Sequence, residues 1–408
     1  MSAILNIDSI AYGGSGVSRL DGFVYFTPYT CPGETIQAEI VRKRKTFAEA
    51  SVVSIITPSA DRLKKPECTI NDDSGNTIPV PGCVYGHVDY HAEILYKQSQ
   101  FLSFLTRQAK IPNVEEIILP PVQSPKHLNY RNKTRLLVSP KLSGGYTVGY
   151  IGDDNETIID IPECPLSAPE INEALHEIRN DRDLLFHAAN AGGTITLRWT
   201  PKDGVVIVPS NLAEECIPLL REEMSIGTLN VPIGGFSQVN PEAGRLLVDY
   251  AAGLVKEFKP VQLIDFYCGV GVFALTAAVQ SGIPQVTGFD IKKDVIKAAN
   301  KNAGNLSIHA KFECISAGDA AKEVLREAAH RRTTVILDPP RAGLEHQMIE
   351  ALLEYPPEQI IYVSCAPDML ARDIAILRQK NTFSVTSAKM FDMFPRTARF
   401  ESVVVLQK

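Results

Sequence analysis

The chain has 408 residues, enough for two or three domains around large cores. Its 45% hydrophobic and 22% charged content is that of a globular protein, and no apolar run approaches the roughly 18 residues that a membrane span needs. The start, MSAILNIDSI, lacks a basic segment and a long apolar one, so no signal peptide is expected and a cytoplasmic protein is the default. The 41 basic and 47 acidic residues give a net charge of −6, which as an average argues against a general affinity for nucleic acid. The eight cysteines (Cys31, Cys68, Cys83, Cys164, Cys216, Cys268, Cys314 and Cys365) are scattered, which favours reduced thiols over a disulfide scaffold.

Residues 1–57 read as short strands such as FVYF and TIQAEIV, broken by AYGGSG, DG and CPGE. This pattern suits a small five-stranded barrel, an architecture that often binds nucleic acid. Charge is uneven: residues 1–135 hold 15 basic and 13 acidic residues, so the acidic excess lies in the remainder. Two basic clusters, Arg42–Lys45 (RKRK) and Lys126–Arg135 (KHLNYRNKTR), suit either a solvated face or contact with phosphate. Residues 58–90 read as irregular, 91–110 as a helix by apolar spacing, and 130–160 as a meander of strands. Residues 165–230 read as mixed α+β without evident chemistry. From about residue 240 strands and helices alternate: VQLIDFY with VFALTAAVQS, QVTGFDI with KDVIKAANKNAG, TTVILDPP with HQMIEALLEY, and QIIYVSC with DMLARDIAILRQK. The pattern predicts a doubly wound, mostly parallel sheet with ligands at the carboxyl ends of its strands.

Three motifs fall at those strand ends. The first is Asp265-Phe-Tyr-Cys-Gly-Val-Gly271, whose glycines allow a ligand close to a helix N-terminus. Asp290 ends the next strand, 19 residues after Gly271, where an acid can hold a ribose. Gly269-x-Gly271-x-x-Ala274 also fits a dinucleotide fingerprint, but with an acid four residues before the first glycine the motif resembles the S-adenosylmethionine (SAM) site of Rossmann-like methyltransferases. The second motif, Asp338-Pro-Pro-Arg-Ala-Gly343, uses prolines to stiffen a loop that holds Asp338 at the cleft. The third is Tyr362-Val-Ser-Cys365-Ala-Pro367, whose cysteine precedes a helix start that should favour a thiolate.

Together with Phe236-Ser-Gln-Val-Asn240 and Asp392-Met-Phe-Pro-Arg-Thr-Ala-Arg-Phe-Glu401, these blocks resemble the RNA uracil-5-methyltransferase family. The N-terminal AYGGSGVSRLDGFVYF is similar to that family's TRAM barrel, an OB-like RNA-binding module, and NYRNKTRL resembles its basic central strand. The resemblance implies a SAM-dependent enzyme with a Rossmann-like methyltransferase domain. The product would be 5-methyluridine in tRNA or ribosomal RNA, and no protein or membrane partner is implied. It implies Cys365 as the nucleophile that adds to uracil C6, and Glu401 as the base that removes the C5 proton. Gln238, Tyr267, Asp290 and Asp338 match its SAM contacts, and the target base should be flipped into the pocket. Many members carry a [4Fe–4S] cluster on four cysteines. Cys68, Cys83 and Cys164 match three of them and Val80 stands at the second, so an intact cluster is not expected. Other departures are Arg399 for a His, Val272 for an Asn, and Ala366 for the Asn after the nucleophile.

Three units are expected: a barrel over 1–58, a central α+β RNA-binding domain over 59–231, and a SAM-dependent methyltransferase domain over 232–408. The helix 91–112 is placed by the resemblance against the last of these. The rival readings are a base N-methyltransferase using Asp338 to position an amine, and a non-catalytic RNA-binding protein with a SAM fold. An NAD dehydrogenase is more distant, because nothing downstream supplies hydride chemistry.

Overall fold

The computed structural model describes residues 2–72, 75–209, 218–235, 237–379 and 382–408. Strands β1 (Ser2–Asn6), β2 (Ser9–Ile10), β3 (Gly16–Leu20), β4 (Phe23–Thr27), β5 (Thr35–Lys43) and β6 (Phe47–Thr57) form one sheet, in the order β1-β5-β6-β4-β3-β2. It holds six strands rather than five, because Ser9–Ile10 is too short to show an alternating pattern in sequence. Leu5, Ile36, Ala38 and Ala48 are buried beneath it. The segment that reads as irregular contains a small hairpin, β7 (Thr69–Asn71) with β8 (Thr77–Pro79).

Helix α1 runs Tyr90–Arg107, started by Asp89, whose carboxylate accepts from the backbone N–H of His91 (2.9 Å) and Ala92 (3.3 Å). Its buried stripe includes Ile94, Phe101 and Leu105. These three share a core with Phe266, Tyr362 and Leu370 of the C-terminal sheet and its helices. The helix therefore packs on the C-terminal part of the chain, although it lies far before it in sequence.

A second sheet joins β9 (Lys133–Pro140), β10 (Tyr146–Ile151), β11 (Ile158–Asp160), β12 (Thr194–Thr200) and β13 (Gly204–Pro209), in the order β11-β10-β9-β12-β13. Helices α2 (Pro169–Ile178) and α3 (Arg182–Asn190) cover one face, burying Ile171, Leu175 and Leu185 against Leu136, Ile195 and Leu197. A hairpin of β14 (Leu219–Met224) and β15 (Gly227–Pro232) follows, then α4 (Pro241–Phe258).

The C-terminal sheet takes the order β18-β17-β16-β19-β20-β22-β21. Its strands are β16 (Gln262–Phe266), β17 (Gln285–Asp290), β18 (Ala310–Cys314), β19 (Thr333–Leu337), β20 (Gln359–Ser364), β21 (Ser384–Phe391) and β22 (Glu401–Gln407). Helices α5 (Val272–Ser281), α6 (Lys293–Asn305), α7 (Ala317–Ala328), α8 (His346–Glu354) and α9 (Pro367–Leu377) connect them. The first five strands pair in parallel, while β22 runs antiparallel to both β20 and β21. Covered on both faces, β19 and β20 are buried along their whole lengths, as their continuous apolar runs require.

Candidate active site

A cavity of about 680 Å³ opens at the carboxyl ends of the parallel strands. Gln238, Tyr267, Asp290, Asp338, Cys365 and Glu401 all line it, so the six residues matched to catalysis and cofactor binding come to one place. Phe236, the first residue of its motif, lies outside the described residues, as does Cys216.

One end of the cavity is built by the glycine loop. Tyr267 leaves β16 with φ of 67°, an uncommon conformation for a residue with a side chain, and its hydroxyl has no hydrogen-bond partner among the described residues. Gly271 has φ of 81°, and a Cβ there would sit 2.8 Å from the Phe312 ring, so only glycine fits. Asp290 is tied to this loop: its Oδ2 accepts from Gly269 N at 3.1 Å and its Oδ1 from Lys292 N at 2.9 Å. Asp265, in contrast, is fully buried and turned away from the cavity, accepting from Ala274 N at the start of α5. Burial, with help from Asp338 and Asp290, raises its pKa well above the carboxylate range.

Gln238 sits close over α4, where a Cβ on Gly244 would lie 2.7 Å from the Gln238 Cβ. The Gln238 Oε1 is buried without a partner. Its loop is anchored by Arg198, a fully buried residue that the sequence did not single out. The Arg198 guanidinium donates to the carbonyls of Pro232 (3.0 Å) and Ile233 (3.1 Å), to Glu222 (2.5 Å) and to the Ser237 hydroxyl (2.6 Å). Unpaired polar atoms on Tyr267 and Gln238, with a carboxylate at the loop, form a cradle that fits the polar groups of SAM.

At the other end, β20 pairs with β22 so that Ser364 faces Ser402. One residue past that pair stand Cys365 and Glu401, which the antiparallel ladder brings side by side from distant parts of the sequence. Glu401 is buried and its Oε2 has no partner among the described residues. Burial, then the nearby Asp338, holds its pKa well above the carboxylate range, with Arg341 opposing. Burial alone raises Asp338 to about 7. The Cys365 thiol corrects the sequence reading. Burial, Glu401 and Asp338 together push it up to about 11, outweighing Arg341, so the resting group is a thiol despite the nearby start of α9.

The remaining cysteines divide in two. Cys68, Cys83 and Cys164 are buried together with Val80, Tyr130 and Leu166 in one apolar cluster. The hydrogen bond with Cys83, together with burial, raises the Cys68 thiol strongly, which disfavours a thiolate at that position. Among the described residues no three His, Cys, Asp or Glu are disposed to hold a metal ion. With Val80 at the second of the four positions the residues do not fit a four-thiolate cluster. Cys31 and Cys268 are buried as expected of core thiols, but Cys314 is exposed, because it ends the edge strand β18.

The cavity continues past the motif residues along a wall formed by Asn132, from the second basic cluster, and by Trp199, Glu222 and Glu223, from a region that carried no signal in the sequence. Lys126, Asn129 and Tyr130 of the second basic cluster also line it. Lys126 nevertheless pairs with Glu242 at 2.7 Å, and Arg131 leans on Tyr130, with 5.9 Å between its guanidinium and the ring. That cluster is thus partly consumed by internal contacts.

Residues 218–408 match the family model described as tRNA (Uracil-5-)-methyltransferase. The match covers the C-terminal part of the chain. The protein is accordingly a SAM-dependent methyltransferase, and SAM is its cofactor. An uncharacterised RNA methyltransferase of Halalkalibacterium halodurans is 28% identical over 99% of this chain and 96% of its own length. A tRNA (uracil(54)-C(5))-methyltransferase of Schizosaccharomyces pombe is 26% identical over 99% of this chain and 78% of its own. The crystal structure of the Pyrococcus abyssi tRNA (uracil-54, C5)-methyltransferase, in complex with S-adenosyl-L-homocysteine, is similar with a TM-score of 0.72 and 24% identity over the full length of both chains. This likeness gives the fold, that of the class I SAM-dependent methyltransferases with mixed α/β content. No described helix is long and apolar enough to cross a membrane.

Proposed function

We propose that this methyltransferase methylates C5 of a uridine in tRNA through a covalent adduct with Cys365. The observation that carries the reading is the pairing of a cysteine with an unpartnered, buried carboxylate across the β20–β22 ladder in the cavity. Uracil C5 is a poor nucleophile. The Cys365 thiol loses its proton to solvent, and the sulfur adds to C6, which places the displaced electron pair on the C4 carbonyl as an enolate and makes C5 nucleophilic. When bound, SAM supplies an electrophilic methyl group at C5. Glu401 then takes the C5 proton, the C6–S bond breaks, and Cys365 is released as it began. A carboxylate whose pKa burial raises is the stronger base for this step.

Gln238, Tyr267, Asp290 and Asp338 are assigned to hold the cofactor, supported by the cradle of unpaired groups beside the glycine loop. A base N-methyltransferase needs neither a thiol nor a base partner, so the Cys365–Glu401 pair favours C5 chemistry. We further assign residues 1–58 to a TRAM-like RNA-binding barrel, 59–231 to a central RNA-binding domain and 232–408 to catalysis. The six-stranded N-terminal sheet supports the first of these. The choice of tRNA over ribosomal RNA follows the printed activities of the fission yeast and Pyrococcus relatives.

The test is tritium release from C5-labelled uridine in tRNA and in ribosomal RNA, both lacking 5-methyluridine, with SAM present. Release is expected from tRNA and is expected to vanish for Cys365→Ala. Undiminished release by that variant refutes the covalent route, and release from ribosomal RNA alone reassigns the substrate.

A further inference from the structure

We propose that Asn132 and Trp199 form a second nucleobase subsite, which takes a base flanking the target uridine. The inference rests on the RNA reading above and adds a site to it. The two residues are joined through the backbone: Trp199 N donates to Asn132 O at 2.8 Å, and Asn132 N donates to Val239 O at 2.9 Å. Asn132 is therefore fixed between the tryptophan and the loop that carries Gln238, and both residues line the cavity that holds Cys365.

The Asn132 side chain is only 3% exposed, yet its Oδ1 has no hydrogen-bond partner among the described residues. Turning the amide over would bury an unpaired N–H₂ in its place. An unsatisfied amide in such a position is costly unless a ligand completes it. That ligand must present a polar edge to Asn132. Half-buried Trp199 packs on the core of the second sheet and adds a planar indole to the same wall. A nucleobase offers both features, a flat face for stacking and an edge of donors and acceptors. Glu222 and Glu223 on the same wall are paired with Arg198 (2.5 Å) and Lys202 (3.3 Å), so this part of the wall offers no free cation to a phosphate and suits an uncharged base. A base next to the target loses a stacking neighbour when the uridine is flipped out, and the indole replaces it.

Trp199 is the only tryptophan in the chain, so intrinsic emission reports on this subsite alone. The protein is titrated with tRNA lacking 5-methyluridine, with ribosomal RNA lacking it, and with S-adenosylhomocysteine alone, while filter retention measures RNA binding independently. RNA binding is expected to quench the emission over the range in which retention saturates, and S-adenosylhomocysteine alone to leave it unchanged. Asn132→Leu and Trp199→Ala should each weaken retention about tenfold, whereas Trp199→Phe, which keeps a stacking ring, should retain most of it. Retention with unaltered emission overturns the proposal, as does wild-type affinity in both Asn132→Leu and Trp199→Ala. Equal quenching by S-adenosylhomocysteine assigns the wall to the cofactor and overturns it too. Failure of the native protein to retain either RNA removes the substrate reading itself, and the subsite with it.

Discussion

Cys365, Glu401 and Asp338 form a group in which Asp338 makes both of the others harder to ionise and Glu401 does the same to Cys365. The assignment of Glu401 as the base of the second half-reaction predicts that Glu401→Gln stalls after methyl transfer. Incubated with SAM and RNA lacking 5-methyluridine, this variant should accumulate a protein–RNA band that survives denaturing electrophoresis. Ordinary turnover without that band would remove the base assignment. The thiol sets the pH dependence. With Cys365 raised to about 11, the thiolate fraction grows about tenfold per pH unit below that value, and kcat/KM should climb between about pH 6 and 9. A profile flat across that interval contradicts a resting thiol. Asp338 gives a stability prediction with the opposite sign. Its pKa is 3.8 in the unfolded chain and about 7 when folded, so the folded state keeps a proton that the unfolded state releases. Stability from this group is present below about pH 4 and is lost as pH rises to about 7. Asp338→Asn should therefore stabilise the cofactor-free protein by about 4 kcal/mol at pH 8, and barely at all near pH 4, in thermal melts at the two values. Equal shifts at both pH values would show that the buried charge is not the cause.

At the scale of elements, α1 is bolted to the segment that leads into β22 and Glu401. Lys97 is fully buried and lies 2.7 Å from both Glu93 on its own helix and Asp392. Asp392 also accepts from the Tyr90 hydroxyl at 2.9 Å, and Arg396 pairs with Glu93 at 3.0 Å. Two carboxylates and two cations thus balance inside the core. Lys97→Met leaves an uncompensated buried carboxylate and should lower stability by about 3–5 kcal/mol in chemical denaturation. Lys97→Met with Asp392→Leu removes the pair together and should recover most of the loss. A double variant no better than the single one would show that lost packing, not stranded charge, is responsible. None of this network was legible in sequence, because its members lie some 300 residues apart and each alone reads as a surface charge. The strand-end motifs were legible because glycine, proline and acid must fall at fixed places where a parallel strand meets a ligand. The pairing of Asn132 with Trp199 was not, since it joins the residue just before β9 to one in β12, about 70 residues later and with no common spacing. Cys365 was found by its motif, but its ionisation was misjudged, since burial and two neighbouring carboxylates are properties of the fold.

For the whole molecule, the net charge of −6 bears on how RNA is held. Of the two basic clusters, Arg42–Lys45 is exposed at the end of β5 and free to meet phosphate. The second cluster leaves Arg135 exposed, but its other basic residues are engaged or half-buried. Lys126 is paired with Glu242, Arg131 leans on Tyr130, and Lys133 is half-buried, with a pKa lowered by burial and by Arg198. The cavity wall itself carries Glu222 and Glu223. Few phosphates can then be neutralised, and affinity must come instead from bases bound in the cavity and from shape. Counterion release from about four contacts sets a limit: log K for RNA should fall with log salt with a slope no steeper than about −3. Replacing Arg42–Lys45 by serines should flatten the slope further while leaving the Trp199 emission change on binding intact, because the two act at different places on the molecule. A slope as steep as that of a general RNA-binding protein, unaffected by those replacements, would require a basic surface that neither cluster supplies.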